Sequence, residues 1–314
     1  MTTNCTRPRV AVCVLSYRRQ AGLARLLGAL GELRFPRGAP DLRVIVVDND
    51  ADGFARGLVA DLATRTAFPL SYCLEKRRGI PQARNAALAA AMGWAEYIAF
   101  LDDDEVPDPD WLSELLRTQQ QFDADAVTGP CLSRFMTEPP PWVADSGLFD
   151  RPRWPTGAAR DVAFTGNVLI RTTALASMGE LFDERLALTG GEDSEFFQRF
   201  ARGGHRIVWC DEAVVHDGVP TACATLRWIL ARAYRTGAIE SYILRKHRPG
   251  PGSSLRLLAH GIYCFAKATL LLLISPLRGR AASAVALRLA AYGAGRLGGL
   301  VGLQYAEYRR VHGD

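Results

Sequence analysis

The stretch EYIAFLDDDEVPDPDWL, residues 96 to 112, decides how the chain is interpreted, because a short apolar strand in it ends in three carboxylates. Asp102, Asp103 and Asp104 repel one another when all three are ionised, and a bound divalent cation relieves that repulsion. A solvated turn followed by a helix N-cap is the alternative. The rest of the sequence decides between the two.

The composition is that of an ordinary globular protein, with room for one large domain and an appendage. The chain has 314 residues, of which 48% are hydrophobic and 23% are charged. Its net charge of +5 comes from 35 Arg and only 3 Lys. Arginines suit phosphate and diphosphate groups, but a GC-rich genome produces the same bias, so both explanations stay open.

Cysteine usage and the N-terminus both favour a protein that stays in the cytoplasm. The seven cysteines lie mostly in apolar runs without CxxC or Cys/His spacing, which argues against a disulfide framework or a zinc site. The apolar run near the N-terminus has six residues and no cleavage site follows it, so it reads as a strand and not as a signal peptide. We expect no nucleic-acid partner.

The first hundred residues alternate strands and helices, which predicts a parallel sheet covered by helices on both faces. The predicted strands and helices alternate at 10–15, 20–32, 42–47, 53–65, 69–74, 81–92 and 97–101. Ligands bind beyond the carboxyl ends of such strands, and all four ends carry polar residues suited to a nucleotide. No GxGxxG or GxxxxGK[ST] motif is present, which argues against a dinucleotide-binding domain and a P-loop NTPase.

Four motifs, in this order, resemble those of glycosyltransferase family 2, whose members have the GT-A fold. They are SYRR, VDND, GIPQARNAA and FLDDDE, and the resemblance covers roughly residues 8 to 240. In that family the last Asp of the acidic motif binds a divalent metal and the first lies near ribose and metal. The resemblance therefore implies Asp104 and Asp102 as metal ligands, and Asp48 as a ligand of the base or ribose.

Polar residues near the strand ends complete the predicted donor site. They are Ser16, Tyr17, Arg19, Arg78, Arg84 and Asp103. Arg84 lies one turn into the predicted helix and is expected to face the site, with a solvated arginine as the alternative. The helix at 226–248 resembles an arginine-bearing helix of succinoglycan-type exopolysaccharide glycosyltransferases, so Arg232 and Arg235 are predicted to clamp the donor diphosphate, with a solvated basic face as the alternative.

A second acidic motif, GGEDSEF at 190–196, resembles the ED motif of the family, whose Asp is the catalytic base. Sugar transfer with inversion needs one carboxylate to take the proton of the acceptor hydroxyl. We therefore predict Asp193 as the base and Glu192 as a neighbour that contacts the acceptor; a helix cap is the alternative. His216 lies where related metal-dependent members place a histidine ligand, so it is predicted to complete a Mn²⁺ or Mg²⁺ site; a purely structural histidine is the alternative.

Acceptor-side residues are predicted between the two acidic motifs. The loop 137–157 is long and irregular, and its Trp142 is expected to stack on a sugar or to pack on its own protein. The TGN turn resembles the acceptor-side turn of the family, which implies that Gly166 and Asn167 lie near the acceptor or the donor sugar. ATLRW stands where processive members carry QxxRW, which favours addition of one sugar at a time.

Two apolar stretches, 255–277 and 281–303, follow a PGPGSS linker at 249–254. Each is long enough to span a membrane, but Lys267 would lie at midspan and basic residues flank both ends. We therefore expect an interfacial helical hairpin on the anionic cytoplasmic face of the bacterial inner membrane. A soluble helical cover or a dimer interface is the alternative.

The sequence thus predicts an α/β protein of the GT-A type, with a catalytic domain at 1–248 and a membrane-associating helical region at 249–314. We expect a metal-dependent, inverting glycosyltransferase that moves a sugar from a UDP-sugar to a hydroxyl of a polyprenyl-diphosphate-linked oligosaccharide. Two other classes remain open. A sugar nucleotidyltransferase normally has a Gly-rich basic loop where this chain has SYRRQAG, and a membrane-bound scaffold would bind nucleotide sugars without catalysis.

Overall fold

The computed structural model describes residues 7–303 and 305–309. Cys5 and Arg310, which belong to the cysteines and flanking basic residues considered above, lie outside the described residues. The strands are β1 (Arg9–Ser16), β2 (Asp41–Asp48), β3 (Leu70–Leu74), β4 (Tyr97–Asp102), β5 (Glu105–Pro107), β6 (Ala126–Thr128), β7 (Cys131–Phe135), β8 (Ala159–Arg160), β9 (Val168–Arg171), β10 (Ile207–Trp209) and β11 (Val215–Val219). The α-helices are α1 (Gln20–Gly31), α2 (Arg56–Ala63), α3 (Ile80–Ala91), α4 (Trp111–Phe122), α5 (Pro141–Ala144), α6 (Thr172–Ala176), α7 (Glu192–Arg202), α8 (Leu226–His247), α9 (Pro251–Ile274) and α10 (Gly279–Leu300).

An eight-stranded sheet in the order β3-β2-β1-β4-β9-β6-β10-β8 forms the centre of the molecule. The strands β1 to β4 are parallel to one another, whereas β9 runs antiparallel to β4 and β6. The carboxyl ends of the first four strands therefore lie along one edge of the sheet, where such sheets bind ligands. The predicted α/β fold is confirmed.

The alternation of side chains along β1 shows how the sheet is covered on both faces. Val10, Val12 and Val14 pack on the side of α1 and α4, while Ala11 and Cys13 pack on the side of α3 and α7. All five are fully buried. Burying a valine-sized side chain contributes about 1.5–3 kcal/mol, so the continuous apolar strand is stabilised from both sides.

A second sheet of three strands, in the order β5-β11-β7, lies directly after the acidic triplet. Its strand β7 follows β6 of the large sheet after a short break, and β11 follows β10 in the same way. The break between β6 and β7 lies at Gly129 and Pro130, because proline has no N–H for the ladder and a Cβ at Gly129 would lie 2.3 Å from the Ala213 carbonyl oxygen.

Small residues hold α10 against α8. A Cβ at Gly295 would lie 1.9 Å from the Tyr234 carbonyl oxygen, and a Cβ at Gly237 would lie 2.2 Å from that of Tyr292. The second predicted apolar stretch, 281–303, is therefore packed against α8 and α9. The predicted linker is also shorter than expected, because α9 begins at Pro251, and proline suits the first turn of a helix.

The helix α9 keeps an exposed apolar face. It forms, with the turn after it, the single segment within the described residues that is long and apolar enough to cross a membrane, Pro251–Leu277, and only 22% of its most apolar window is buried. The exposed large apolar side chains of this segment are Leu255, Leu258, Ile262, Tyr263, Phe265, Leu270, Leu273 and Leu277. The domain boundary at residue 249 stays a prediction.

Candidate active site

A cavity of about 1270 Å³ opens at the carboxyl ends of the parallel strands. It brings together most of the residues that the sequence singled out. These are Ser16, Tyr17, Arg19, Arg78, Arg84, Asp102, Asp103, Asp104, Gly166, Glu192, Asp193, Arg232 and Arg235. The predicted residues that the structure places outside its lining are Asp48, Trp142, Asn167 and His216.

Arg84 joins the two acidic motifs inside this cavity. Its side chain is 5% exposed, and its guanidinium lies 3.3 Å from Asp102 Oδ1 and 3.1 Å from Glu192 Oε1. The helix α3 starts where the chain leaves Gly79, with Pro81 in its first turn, so Arg84 comes one turn later on the side of the cavity. Two motifs that lie far apart in the sequence therefore share one buried cation.

Arg19 forms ion pairs with the other two members of the acidic triplet, Asp103 and Asp104. Its Nη1 lies 3.1 Å from Asp103 Oδ1 and 2.7 Å from Asp104 Oδ2. Burial raises the pKa of Asp103 to about 7, against the opposing effect of Arg19. Burial also raises the pKa of Asp104, and the charge of Asp102 adds to this shift. The triplet is thus a strained set of carboxylates that one guanidinium only partly compensates.

Two further carboxylates, not singled out from the sequence, extend this set. Asp217 on β11 is paired in register with Glu105 on β5, and both line the cavity. Burial, followed by the charge of Asp104, raises the pKa of Asp217 to about 6. Burial, followed by the charge of Asp102, raises the pKa of Glu105 well above its usual range. Clustered oxygen donors that raise one another's pKa fit a hard divalent cation such as Mg²⁺ or Mn²⁺.

His216 lies on the opposite face of β11 from Asp217. Its Nε2 is 3.1 Å from Asp108 Oδ1, at the end of β5. Neighbouring side chains of a strand point to opposite faces, so His216 and Asp217 do not both reach the cavity. As a metal ligand His216 remains a sequence prediction, and the structure offers Asp217 at the next position. Asp217 directly follows His216 in the sequence HDG, so this triplet is the sequence signal that could have identified Asp217 as a candidate ligand.

Asp48 organises its own loop. It is fully buried, and its two carboxylate oxygens accept hydrogen bonds from the backbone N–H groups of Asp50 and Ala55 at 3.0 and 2.8 Å and from the Tyr72 hydroxyl at 3.0 Å. The neighbouring Asn49 lines the cavity instead. Direct contact of Asp48 with a donor thus remains a sequence prediction. In the structure, its hydrogen bonds fix the conformation of the loop that follows β2.

In the TGN turn, Asn167 is buried and supports the fold, whereas Gly166 faces the cavity. Asn167 is fully buried; its Oδ1 accepts from Trp111 Nε1 at 2.8 Å, and its Nδ2 donates to the carbonyls of Pro130 and Ala213 at 3.0 and 2.7 Å. Gly166 lines the cavity, where a Cβ would lie 2.1 Å from Glu105 Oε1. Asn167 thus holds the broken strand between β6 and β7 in place.

Aromatic residues other than Trp142 form an aromatic wall of the cavity, namely Phe149, Trp154, Phe164 and Trp228. Trp142 lies half-buried on α5. Phe149 stacks on Trp228, with ring centroids 6.0 Å apart and an interplanar angle of 9°. Trp154 carries the Arg160 guanidinium 3.6 Å above its ring, and Phe164 is 55% exposed. Flat apolar faces of this type stack on sugar rings.

The two acids of the ED motif differ in environment. Gly191 precedes α7 with φ +84, a conformation that glycine adopts readily and that directs both acids toward the cavity. Glu192 is 3% exposed, and burial raises its pKa to about 7 despite Arg84. Asp193 is half-buried, and its Oδ1 accepts a hydrogen bond from the Ser194 backbone N–H at 2.6 Å. Asp193 is therefore the more accessible carboxylate.

The two predicted clamp arginines contact the C-terminal segment. Glu307, 6% exposed, has one carboxylate oxygen 2.8 Å from Arg235 Nε and the other 3.6 Å from Arg232 Nη1. The adjacent Tyr308 accepts a hydrogen bond at its carbonyl oxygen from Arg78 at 2.9 Å. A carboxylate of the chain itself thus lies against the guanidinium groups that the sequence assigned to the donor diphosphate.

Comparisons with known proteins show what this chain is similar to. The model of the glycosyl transferase family 2 matches residues 11–178. The succinoglycan biosynthesis protein ExoM of Rhizobium meliloti is 34% identical over 299 residues, which cover 95% of this chain and 94% of that protein.

Two solved structures share the fold. A mannosyltransferase of Pyrobaculum calidifontis, in complex with GDP-Man and Mn²⁺, superposes with a TM-score of 0.61 at 22% identity over 92% of this chain and 88% of that one. S. aureus TarS, residues 1–349, in complex with UDP, gives a TM-score of 0.54 at 18% identity over 95% of this chain and 93% of that one.

Glu192 leads to a pH-dependent prediction. Because its folded-state pKa of about 7 lies above the usual value of 4.5, its contribution to stability is complete below pH 4.5 and is lost as the pH rises through 7. We expect the free energy of unfolding of Glu192→Gln, taken relative to that of the wild type, to rise by up to about 3 kcal/mol from pH 5 to pH 8, because only the wild type must ionise this buried side chain. Urea unfolding without divalent metal measures this difference.

Glu138→Gln, at an exposed position, is the control and should show no such gain. A Glu192→Gln difference that stays constant with pH would show that the folded protein holds Glu192 at its ordinary pKa.

Proposed function

The chain belongs to glycosyltransferase family 2, and we propose that it transfers a sugar with inversion from a UDP-sugar to a hydroxyl of a lipid-linked oligosaccharide, in a metal-dependent reaction of bacterial polysaccharide synthesis. The observation that carries the proposal is the Arg84 bridge, because it sets the acidic triplet and the ED motif in one cavity. ExoM supports the biosynthetic setting, and the bound UDP of TarS supports the nucleotide.

We assign the donor side to the strand ends and to α8. Ser16, Tyr17 and Arg78 line the cavity beside the ends of β1 and β3, within reach of a nucleoside. Arg232 and Arg235 would hold the diphosphate through charge-assisted hydrogen bonds, which arginine forms in a bidentate manner. These five residues bind and orient the donor.

The metal site is assigned to Asp102, Asp104 and Asp217. Their oxygens suit Mn²⁺ or Mg²⁺, and the complex of the Pyrobaculum mannosyltransferase with Mn²⁺ supports the same use of a metal. When bound, the metal neutralises charge on the departing nucleoside diphosphate. Arg19 keeps Asp103 and Asp104 close together by its ion pairs.

Asp193 is assigned as the catalytic base. It faces the cavity and takes the proton from the acceptor hydroxyl, which then attacks the anomeric carbon on the side opposite the leaving nucleotide. Glu192 and Arg84 position it, since the ion pair between them fixes the first turn of α7. The aromatic wall with Phe149 and Trp228 is assigned to the acceptor sugar.

The metal and base assignments predict separate defects. Asp104→Ala should remove metal-dependent binding of the UDP-sugar, because a ligand oxygen is lost. Asp193→Asn should bind the donor normally and lower turnover by about 10² to 10⁴, the range for a lost general base. Titration calorimetry with UDP and Mn²⁺ measures the binding, and nucleotide release measures turnover. Loss of UDP binding in Asp193→Asn, or a wild-type rate, would refute the assignment of the base.

Substitutions of the adjacent residues His216 and Asp217 on β11 test which of the two binds the metal. Asp217→Asn should weaken Mn²⁺-dependent UDP binding strongly, whereas His216→Asn should leave it within about twofold. The opposite result would return the ligand role to His216.

Glu307 predicts an effect on the donor affinity. Its carboxylate and a donor phosphate would compete for Arg232 and Arg235, so we expect Glu307→Gln to raise the affinity for UDP about tenfold. Calorimetry with and without Mn²⁺ measures this, with Glu138→Gln as the exposed control. A lower affinity in Glu307→Gln would mean that the carboxylate supports the clamp instead of competing for it.

We also propose that α9 lies on the anionic cytoplasmic surface of the membrane. Its apolar face is exposed, Arg256, His260 and Lys267 lie along one side of it, and Arg278 follows the turn after it; all four are exposed. We expect flotation with anionic vesicles that high salt or carbonate reverses, since basic residues near such a surface contribute about 1 kcal/mol each. Equal, carbonate-resistant flotation with neutral vesicles would indicate a spanning helix, and no flotation a soluble helical cover.

A further inference from the structure

The cavity continues beyond Asp193 as an arm between α7, α8 and α10. Its lining repeats every fourth residue on two helices, with Ser194, Gln198 and Arg202 on α7 and Thr236, Glu240 and Leu244 on α8. Residues four apart lie above one another on one face of a helix, so the arm follows both helices away from the catalytic base. From Asp193 to Arg202 it extends about 13 Å, at 1.5 Å per residue.

Four arginines without carboxylate partners line this arm. Arg202 ends α7, Arg248 follows α8, Arg256 lies near the start of α9, and Arg288 lies on α10. All four are exposed, and no carboxylate among residues 7–303 and 305–309 forms an ion pair with any of them. Four unpaired cations around one arm repel one another and favour an anionic ligand.

Several arginines elsewhere in the cavity are paired with carboxylates, whereas Arg151 and Arg160 form no such ion pair within the described residues. Arg19, Arg84 and Arg235 each contact a carboxylate within the site. In the arm, Glu240 is engaged by the Tyr292 hydroxyl and by Arg296 at 2.6 Å. Glu240, an acidic side chain that lines the arm, therefore does not neutralise the four arginines.

An apolar surface continues from the arm. Leu244 and Leu289 line it between the arginines, and Arg256 is followed on α9 by the exposed Leu258 and Ile262. A ligand extending from Asp193 would thus meet cations first and an apolar helix face next. An amphiphile with an anionic group between a polar end and a hydrocarbon chain has this order of groups.

We propose that the arm binds the diphosphate of the acceptor, with a short oligosaccharide reaching from it to Asp193 and the hydrocarbon chain lying on α9. The proposal rests on the proposed transfer to a lipid-linked glycan and adds the site that holds its phosphates. Arginine forks bind diphosphate in a bidentate manner, so Arg202, Arg248, Arg256 and Arg288 would fix the distance between the membrane and the base.

Farnesyl diphosphate is a suitable probe, because it joins a diphosphate to a hydrocarbon chain. Its binding is measured by calorimetry with saturating UDP and Mn²⁺, so that the donor site is already filled. We expect the double variant Arg202→Ala/Arg248→Ala to bind the probe at least tenfold more weakly than the wild type, since two charge-assisted contacts are lost. Farnesol and inorganic pyrophosphate should each bind more weakly than the probe.

Arg280→Ala is the matched control, because Arg280 is an exposed arginine on α10 that lies outside the cavity lining. It should bind the probe like the wild type. A wild type that does not bind the probe, a double variant that binds it equally well, or pyrophosphate that binds as tightly would overturn the proposal.

Vesicles distinguish a lipid headgroup as the source of the anion. If Arg280→Ala and the double variant lose flotation with anionic vesicles equally, while probe binding is unchanged in both, the arginines serve the membrane surface and the proposal is wrong. Failure of the wild type to bind UDP with Mn²⁺ is a separate result, which would refute the proposed function.

Discussion

The buried guanidinium of Arg84 is the interaction on which the arrangement of the site depends. It compensates Asp102 at the end of β4 and Glu192 at the start of α7, two acids that would otherwise lie unpaired beside each other in one cavity. Breaking a buried ion pair by removing one partner is strongly destabilising, because the remaining charge stays buried. Arg84 therefore couples the half of the site that is built by the parallel strands, which we assign to the donor, to the half that carries the proposed base.

The acidic cluster around the triplet follows from the same sheet. Parallel strands bring their carboxyl ends to one edge, and the small sheet of β5, β7 and β11 adds Glu105 and Asp217 from the other side. Neighbouring carboxylates raise the pKa values of Glu105 and Asp217, and the charges of Arg151 and Arg232 oppose this only in part at Asp217. The folded site therefore contains carboxylates that repel one another, and binding of a divalent cation would relieve this repulsion.

The sequence predicted the elements with strong periodicity, and it missed those that depend on contacts between distant segments. Continuous apolar runs with polar ends identified the first four strands, because such runs need burial on both faces. The choice between His216 and Asp217 depends on which face of β11 meets the cavity, and this is set by the register with β5, which no local pattern encodes. Likewise, nothing near Arg235 in the sequence indicates that Glu307 lies against it.

The helix α8 explains why the catalytic and C-terminal parts are difficult to separate. One face of α8 carries Arg235, which we assign to the donor, and a second carries Glu240, which lines the arginine-lined arm. A third face packs closely against α10 at Gly237, where a side chain would clash with the backbone of α10. Residues C-terminal to the predicted boundary at 249 therefore touch both the cavity and its walls. A surface helix such as α9 is then held at a fixed distance from Asp193, so contact with a membrane would position an acceptor as well as the enzyme.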